Sequence, residues 1–182
     1  MALVRKTIKI SKASKSDFLA FYKFFKKSLK GKLFLYSDNS INYILDAGLS
    51  KNLLKEEILN GKRPLYLAYS NSKIVGYLLT TKTYGGIAFG HWLAVDPKHQ
   101  KQGAASKLLS RWQSEVPKYG THKVWLWTTK NNIDFYKNRG FVLGGEFPDS
   151  FFGLDHYLFY KTLRKSDEKK FLGEYLKAKK KK

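Results

Sequence analysis

Cysteine is absent from this sequence of 182 residues, and acidic residues are scarce. Without cysteine the chain has no disulfide bond, no thiolate metal ligand and no cysteine nucleophile. No run of about 18 apolar residues occurs, so no segment is predicted to span a membrane. The first residues, Met1 to Arg5, carry no apolar stretch long enough for a signal peptide. Together these absences favour a cytoplasmic protein.

Positive charge dominates the polar residues, because 35 Lys and Arg stand against 14 Asp and Glu, for a formal net charge of +21. Such an excess attracts polyanions, among them RNA, DNA, phosphorylated cofactors and acidic membrane surfaces. A lysine-rich surface without any specific partner is the alternative. Nucleic acid is therefore one candidate partner. Hydrophobic residues at 43% and aromatic residues at 16% are enough to build a packed core.

The pattern of apolar residues predicts a mixed α/β domain with helices between the strands of its second half. The predicted elements are a strand over 4–10, helices over 16–30 and 50–60, strands over 64–69, 73–81 and 86–95, a helix over 100–116, a strand over 123–128, a short helix over 131–138 and two strands over 141–147 and 153–163. The segment 32–48 is expected to be a loop with one helical turn. We expect residues 1–163 to form the domain and residues 164–182 to form a basic, Lys-rich tail with a short amphipathic helix.

Local patterns refine three of these elements. Ser14 or Ser16 is expected to cap the first helix. Four consecutive apolar residues from Val124 to Trp127 predict a strand that is buried on both faces. The pair Gly144-Gly145 predicts a β-bulge in the final hairpin.

The segment most informative about chemistry runs from Leu93 to Leu109. A buried strand ends at Asp96-Pro97, and a short loop leads into an amphipathic helix that begins with the small residues Gly103, Ala104 and Ala105. The start of a helix presents N–H groups without partners and a partial positive charge, which together suit a pyrophosphate. Positive side chains flank this turn: Lys98, His99, Lys101 and Lys107. An ordinary strand-to-helix turn is the alternative.

Two motifs in this region resemble those of a known family. The pattern Gln100-x-x-Gly103-x-Ala105 resembles the acetyl-CoA-binding motif (Q/R-x-x-G-x-G/A) of the GNAT N-acetyltransferases. Downstream, the stretch from Phe135-Tyr136 to Gly140-Phe141 resembles that family's F-Y-x-x-x-G-F signature. The resemblance extends from about residue 65 to residue 163. It implies the GNAT fold, in which helices flank a mixed, mostly antiparallel central sheet with a splayed pair of strands.

The resemblance also implies the donor and its contacts. Acetyl-CoA would be the acetyl donor, and no metal would be required. Backbone N–H groups around Gln102 to Ser106 would hold the pyrophosphate, and backbone groups of Leu93 and Val95 would bind the pantetheine arm in the opening between the splayed strands. The implied cofactor-binding residues are Leu93, Ala94, Val95, Gln100, Lys101, Gln102, Gly103, Ala104, Ala105, Ser106, Asn131, Asn132 and Tyr136.

The reaction implied by the resemblance is direct attack of an amine on the thioester. Tyr136 occupies the family's tyrosine position and would protonate the departing thiolate. Phe89 stands where many members carry a catalytic Glu, so His91, two residues later on the same side of the strand, is the candidate base. The alternatives are that Tyr136 and His91 are core residues and that a water chain takes the proton. A backbone N–H near Leu93 to Val95 would stabilise the oxyanion.

The sequence leaves the acceptor open among several classes. A protein amine, either N-terminal or lysine, is the first hypothesis. An amine borne by RNA, such as aminoacyl-tRNA, would use the positive charge, and a small amine is the third hypothesis. A non-catalytic acyl-CoA-binding module is an alternative of another class, supported by Phe89 in place of Glu. The protein is expected to be a monomer or a homodimer.

Overall fold

A computed structural model describes residues 7–31 and 33–180 of the chain. Its elements are β1 (Lys9–Lys12), α1 (Phe18–Lys30), α2 (Asp38–Tyr43), α3 (Lys51–Leu59), β2 (Leu65–Ser70), β3 (Lys73–Thr80), β4 (Ile87–Val95), α4 (Ala104–Glu115), β5 (Lys123–Thr128), α5 (Ile133–Lys137), β6 (Val142–Phe147), β7 (His156–Thr162), α6 (Glu168–Phe171) and α7 (Gly173–Lys179). No helix among these described residues is long and apolar enough to cross a lipid bilayer.

The strands of the described residues form one sheet in the order β1-β2-β3-β4-β5-β7-β6. Strands β4 and β5 pair in parallel, over Ile87–Gly90 and Lys123–Leu126. The pairs β1–β2, β2–β3, β5–β7 and β6–β7 are antiparallel. The mixed α/β, mostly antiparallel fold predicted from the sequence is therefore confirmed. The splaying of β4 from β5 stays a prediction.

The chain divides into two compact units. The first holds the described residues up to Leu79 together with Trp92–Arg111, and the second holds Thr80–His91 together with the described residues from Trp112 onward. The strand β4 and the helix α4 each contribute residues to both units.

The first unit is built on the amphipathic helix α1. Its buried apolar residues recur every three or four positions, the spacing of an amphipathic helix: Phe18, Phe21, Phe25 and Leu29. Ser14 begins this helical segment, since the Asp17 carboxylate accepts hydrogen bonds from the Ser14 backbone N–H at 2.7 Å and from its hydroxyl at 2.6 Å. The apolar face packs with α2, α3, β2 and β3 around Tyr77 and Trp92. The Tyr77 hydroxyl hydrogen-bonds with Ser28 Oγ at 2.9 Å.

Two predictions for the first unit are wrong in part. The segment 32–48 contains the helix α2 and a π-helical turn over Ile44–Gly48, rather than a loop with one turn. The Ser37 hydroxyl accepts from the Ser40 N–H at 3.2 Å and so caps α2, whose Ile41 is buried. The first strand runs over Lys9–Lys12, because these residues pair with β2, and the predicted strand residues 4–6 lie outside the described residues.

The second unit has its core beneath β5 and β7. Val124, Leu126 and Phe159 are buried together with Trp112 of α4. Gly90 allows this packing, because a Cβ there would lie 3.1 Å from the Trp112 ring. The prediction that β5 is buried on both faces is wrong, since Trp125 and Trp127 alternate with the buried residues and are only half-buried.

Two C-terminal features complete the second unit. The register of β6 against β7 shifts between Leu143 and Gly145, which confirms the predicted bulge. After β7, Arg164 donates to the carbonyls of Thr121 and Pro117 at 3.1 and 3.0 Å. Residues 164–180 continue into α6 and α7, two short helices in place of the single helix expected from the sequence. The domain boundary at residue 163 stays a prediction.

Candidate functional site

The turn between β4 and α4 is tied firmly to the strand that precedes it. The Asp96 carboxylate accepts from the Lys98 N–H at 2.9 Å and so begins a 3-10 turn over Pro97–His99. The Gln100 side-chain amide reaches back and donates to the Val95 carbonyl at 3.2 Å. These two contacts fix where the chain leaves β4 and where it enters the helix.

Asp96 carries the negative charge of this turn. Burial acts to raise the pKa of its carboxyl, but the Lys98 N–H and the Lys27 ammonium act in the opposite direction and leave the pKa below its ordinary value. The Lys27 Nζ lies 3.5 Å from Asp96 Oδ2, and the Asp96 backbone N–H donates to the Val75 carbonyl at 2.8 Å. The carboxylate is therefore ionised at neutral pH and links the turn to α1, while the Asp96 backbone N–H links it to β3.

The first turn of α4 is open to an anion. Gly103 has a φ of +85°, and a Cβ placed on it would have nothing within 4 Å. The first helical hydrogen bond runs from the Lys107 N–H to the Gly103 carbonyl at 2.9 Å. In general the first N–H groups of a helix lack acceptors within the helix, and the helix dipole adds positive potential at that end. Lys101, Gln102 and Gly103 are exposed, so the turn fits a pyrophosphate.

The first unit thus brings ten of the residues implied by the resemblance into one continuous segment, from Leu93 to Ser106. Ala94, Val95 and Ala104 are buried, whereas Leu93, Ala105 and Ser106 are half-buried. Lys107, which the sequence suggests as a source of positive potential, is already engaged, because its ammonium donates to the Ile8 carbonyl at 3.2 Å.

Tyr136 lies on α5 in the second unit, packed among aromatic rings. The ring centroids of Phe135, Phe141 and Phe159 lie 5.0, 5.6 and 5.8 Å from its own. Burial raises the pKa of the Tyr136 phenol, and the nearby Arg139 opposes this only in part. The whole residue is buried, with 6% of its surface exposed.

His91 is half-buried, and it is the last residue of β4 that belongs to the second unit. Its ring centroid lies 5.4 Å from that of Phe89, which stacks on Trp125 at 4.4 Å. Tyr136 contacts Phe159, and Phe159 is paired with Leu126 on the opposite side of β5 from Trp125. The rings of His91 and Tyr136 therefore lie on opposite faces of the sheet.

Asn131 and Asn132 lie in a 3-10 turn over Lys130–Asn132 that joins β5 to α5, and both are exposed. The Asn132 N–H donates to the Thr129 carbonyl at 3.0 Å. Both side chains face solvent beside the helix that carries Tyr136. Their role as contacts of the cofactor stays a prediction.

Sequence reasoning missed a continuous set of aromatic side chains in the second unit. Trp125 and Trp127 are half-buried, and their rings continue those of His91 and Phe89 along the sheet. The two-residue spacing of the tryptophans signals a shared face, but the uninterrupted apolar run hides that signal. Among the described residues no group of three or more His, Asp or Glu is placed to hold a metal ion.

Comparison with known proteins identifies a family whose sequence pattern the chain matches. The model of the acetyltransferase (GNAT) family matches residues 33–141, a range that includes the turn before α4 and the segment around Tyr136. No curated protein sequence matches the chain.

Solved structures share the fold. The PaiA N-acetyltransferase of Thermoplasma acidophilum, in complex with coenzyme A, is 20% identical with a TM-score of 0.71, over 86% of this chain and 99% of that chain. YncA of Salmonella typhimurium, a putative acetyltransferase with its cofactor acetyl-CoA, is 19% identical with a TM-score of 0.69, over 88% and 96%. The ribosomal-protein-S18-alanine N-acetyltransferase of Escherichia coli is 19% identical with a TM-score of 0.65, over 89% and 97%.

Proposed function

The chain belongs to the acetyltransferase (GNAT) family, and we propose that it transfers the acetyl group of acetyl-CoA to a primary amine of a protein, either an N-terminal amine or a lysine. The observation that supports this most directly is the turn before α4. Its positive φ at Gly103 and the free space above it leave backbone N–H groups accessible to a diphosphate.

The donor would be held chiefly by backbone groups. N–H groups from Gln102 to Ser106 bind the pyrophosphate, and the backbone of Leu93 and Val95 binds the pantetheine arm. The fixed path of the turn, set by Asp96 and Gln100, means that little order is lost when the donor binds.

The reaction needs two proton transfers. A C–N bond forms as the amine attacks the thioester carbonyl, the C–S bond breaks, and the amine proton passes to water, because His91 lies on the opposite face of the sheet from Tyr136. The leaving thiolate takes the proton of the Tyr136 phenol. The raised pKa of Tyr136 keeps this proton in place well above neutral pH, so the acid is available when the thiolate departs.

An amine carried by RNA is the second candidate acceptor, and the net charge of +21 favours it. One solved relative in fold is described as acting on an alanine of ribosomal protein S18, which illustrates a protein acceptor on this fold. Thiol release from acetyl-CoA, measured with peptides, aminoacyl-tRNA and small amines in turn, separates these acceptors.

The variant Tyr136→Phe tests the assignment of the acid. We expect kcat to fall about 100-fold, because a positioned acid contributes at least this much, while the Kd of acetyl-CoA in calorimetry stays the same. The matched control is Tyr77→Phe, which removes another buried phenol, in the first unit, and should lower stability without changing kcat. An unchanged kcat in Tyr136→Phe contradicts the assignment. Acetyl-CoA binding without turnover on any amine would instead identify a non-catalytic binding module.

A further inference from the structure

A row of aromatic rings runs along one face of the second unit. We call Phe89, His91, Trp125, Trp127, Phe147 and Phe151 the aromatic row. Successive ring centroids lie 5.4 Å apart for His91 and Phe89, 4.4 Å for Phe89 and Trp125, and 5.5 Å for Trp125 and Trp127. From Trp127 the row continues to Phe147 at 5.7 Å and Phe151 at 6.3 Å. Its outer end is open, since Phe147 is 47% exposed and Phe151 is 54% exposed.

The loop after β6 displays the outer end of the row through a constrained backbone. The Ser150 N–H donates to the Leu154 carbonyl at 2.9 Å, and Ser150 Oγ hydrogen-bonds with Nδ1 of the buried His156 at 2.8 Å. Phe152, next to the row, has a φ of +62°, a conformation that is unfavourable for a bulky residue. It is 43% exposed, so the loop holds a strained phenylalanine partly in water.

The chain segment that carries this end of the row has a net charge opposite in sign to that of the whole chain. Lys and Arg make up about one residue in five, so a stretch of 21 residues would carry about four of them. From Gly140 to Tyr160 there are none. The same stretch carries Asp149 and Asp155 in the loop itself, and both are exposed. The Asp149 N–H donates to Asp155 Oδ1 at 2.9 Å, so the two residues lie side by side.

Open aromatic faces beside carboxylates bind cations, because the ring quadrupole and the carboxylate both attract positive charge. This face already holds one cation at its other end. The Lys123 Nζ lies 4.8 Å from the ring centroid of Tyr160, which is paired with Trp125. A polyanion such as RNA would be repelled by the two aspartates.

We propose that the aromatic row, with Asp149 and Asp155, binds a positively charged peptide segment, rich in Lys or Arg, of the protein that is acetylated. The inference deepens the proposed function and rests on it only for the claim that the bound segment belongs to the acceptor. Binding itself requires neither acetyl-CoA nor a reactive amine.

The direct test uses a fluorescently labelled peptide with a blocked N-terminus and three arginines, which has no amine that can be acetylated. Its Kd for the full chain is measured by fluorescence anisotropy without acetyl-CoA, and a peptide with three glutamates serves as the comparison. We expect the arginine peptide to bind at least tenfold more tightly. Equal affinities for the two peptides would overturn the proposal.

Variants locate the binding on the surface. Asp149→Asn should weaken the arginine peptide about threefold, the scale of a partly screened charge pair. Trp127→Leu should weaken it about tenfold through the loss of the indole face. The matched control is Glu146→Gln, the same change of charge in the same hairpin, because Glu146 is paired with Tyr157 and points away from the row. Equal effects of Asp149→Asn and Glu146→Gln would overturn the proposal, as would light scattering that shows a dimer and no peptide binding.

Acetyl transfer to peptides with a free amine then separates this inference from the proposed function. A kcat/KM that is at least tenfold higher for arginine-flanked than for glutamate-flanked amines supports both. Equal values would support the transferase and overturn the cationic segment. Binding of the arginine peptide at the row, with no transfer to any amine, would overturn the proposed function and leave the surface intact.

Discussion

The turn before α4 and the aromatic row both expose groups that proteins usually bury, namely backbone groups in the turn and aromatic rings in the row. The two sites are built in opposite ways. In the turn, the backbone is exposed because Gly103 has no side chain to cover it. In the row, a constrained loop holds large aromatic rings in positions where they are partly exposed to solvent. A binding site made of backbone groups is blocked by a bulky side chain, whereas a site made of side chains is weakened one ring or charge at a time.

The two regions also differ in the sign of their charge. Lys98 and Lys101 flank the turn and are exposed, while the loop beside the row carries Asp149 and Asp155. A single net charge of +21 therefore conceals one surface suited to an anion and another suited to a cation. The overall charge alone favours only polyanionic partners, and the local arrangement adds a partner of the opposite kind.

The largest expected effect comes from Gly103→Val. A branched side chain fills the space above the turn and disfavours the φ of +85°, so we expect acetyl-CoA to bind at least tenfold more weakly in calorimetry. Gly61→Val is the matched control, since Gly61 has a φ of +74° and also has nothing within 4 Å of an added Cβ. The control should lose similar stability and bind acetyl-CoA normally. Equal losses of binding in both variants would show that strain, rather than the open turn, explains the effect.

A smaller effect of opposite sign is expected from Phe152→Asn. Asparagine tolerates a φ of +62° better than phenylalanine, so the free energy of unfolding should rise by about 1 kcal/mol. The affinity for the arginine peptide should fall about threefold, because a partly exposed ring beside the row is lost. Chemical denaturation and anisotropy measure the two quantities. A less stable variant would show that the left-handed conformation is not a source of strain.

The smallest effect is expected from Asp96→Asn, which keeps the cap of the 3-10 turn but removes the charge. Because the pKa of Asp96 lies below its ordinary value in the folded protein, the ionised carboxylate stabilises the fold above pH 3.8, and this contribution is lost as the pH falls through the lowered pKa. The expected loss at pH 7 is about 0.5 kcal/mol, since the Lys27 side chain is largely exposed and water screens the pair. Urea unfolding of both proteins at pH 7 and pH 3 measures it. A difference that grows toward acid pH would refute this sign.

Elements with strong local signals could be predicted from the sequence. The helix over residues 16–30, the strands over 64–69 and 73–81, and the bulge at Gly144 all occur close to where they are expected. Each depends on residues close together in the chain. The helix α2 and the π-helical turn after it were missed, because short helices with few apolar residues give little periodicity.

The candidate site likewise has features that the sequence predicts and features that it does not. The open turn at Gly103 could be predicted, since small residues and a strand-to-helix boundary are local features. That the Lys107 ammonium is bound to the Ile8 carbonyl could not be predicted, because these residues are 99 positions apart. The faces occupied by His91 and Tyr136 likewise depend on how β4, β5 and β7 pair.

The sequence by itself determined the family, the acetyl donor and the turn that is suited to bind it, because these depend on short motifs whose chemistry is carried by neighbouring residues and their backbone. Only the tertiary structure decided which aromatic rings form the partly exposed row and which charges lie beside it. Strand pairing brings distant residues within contact distance, and one residue of register moves every side chain of a strand to the opposite face.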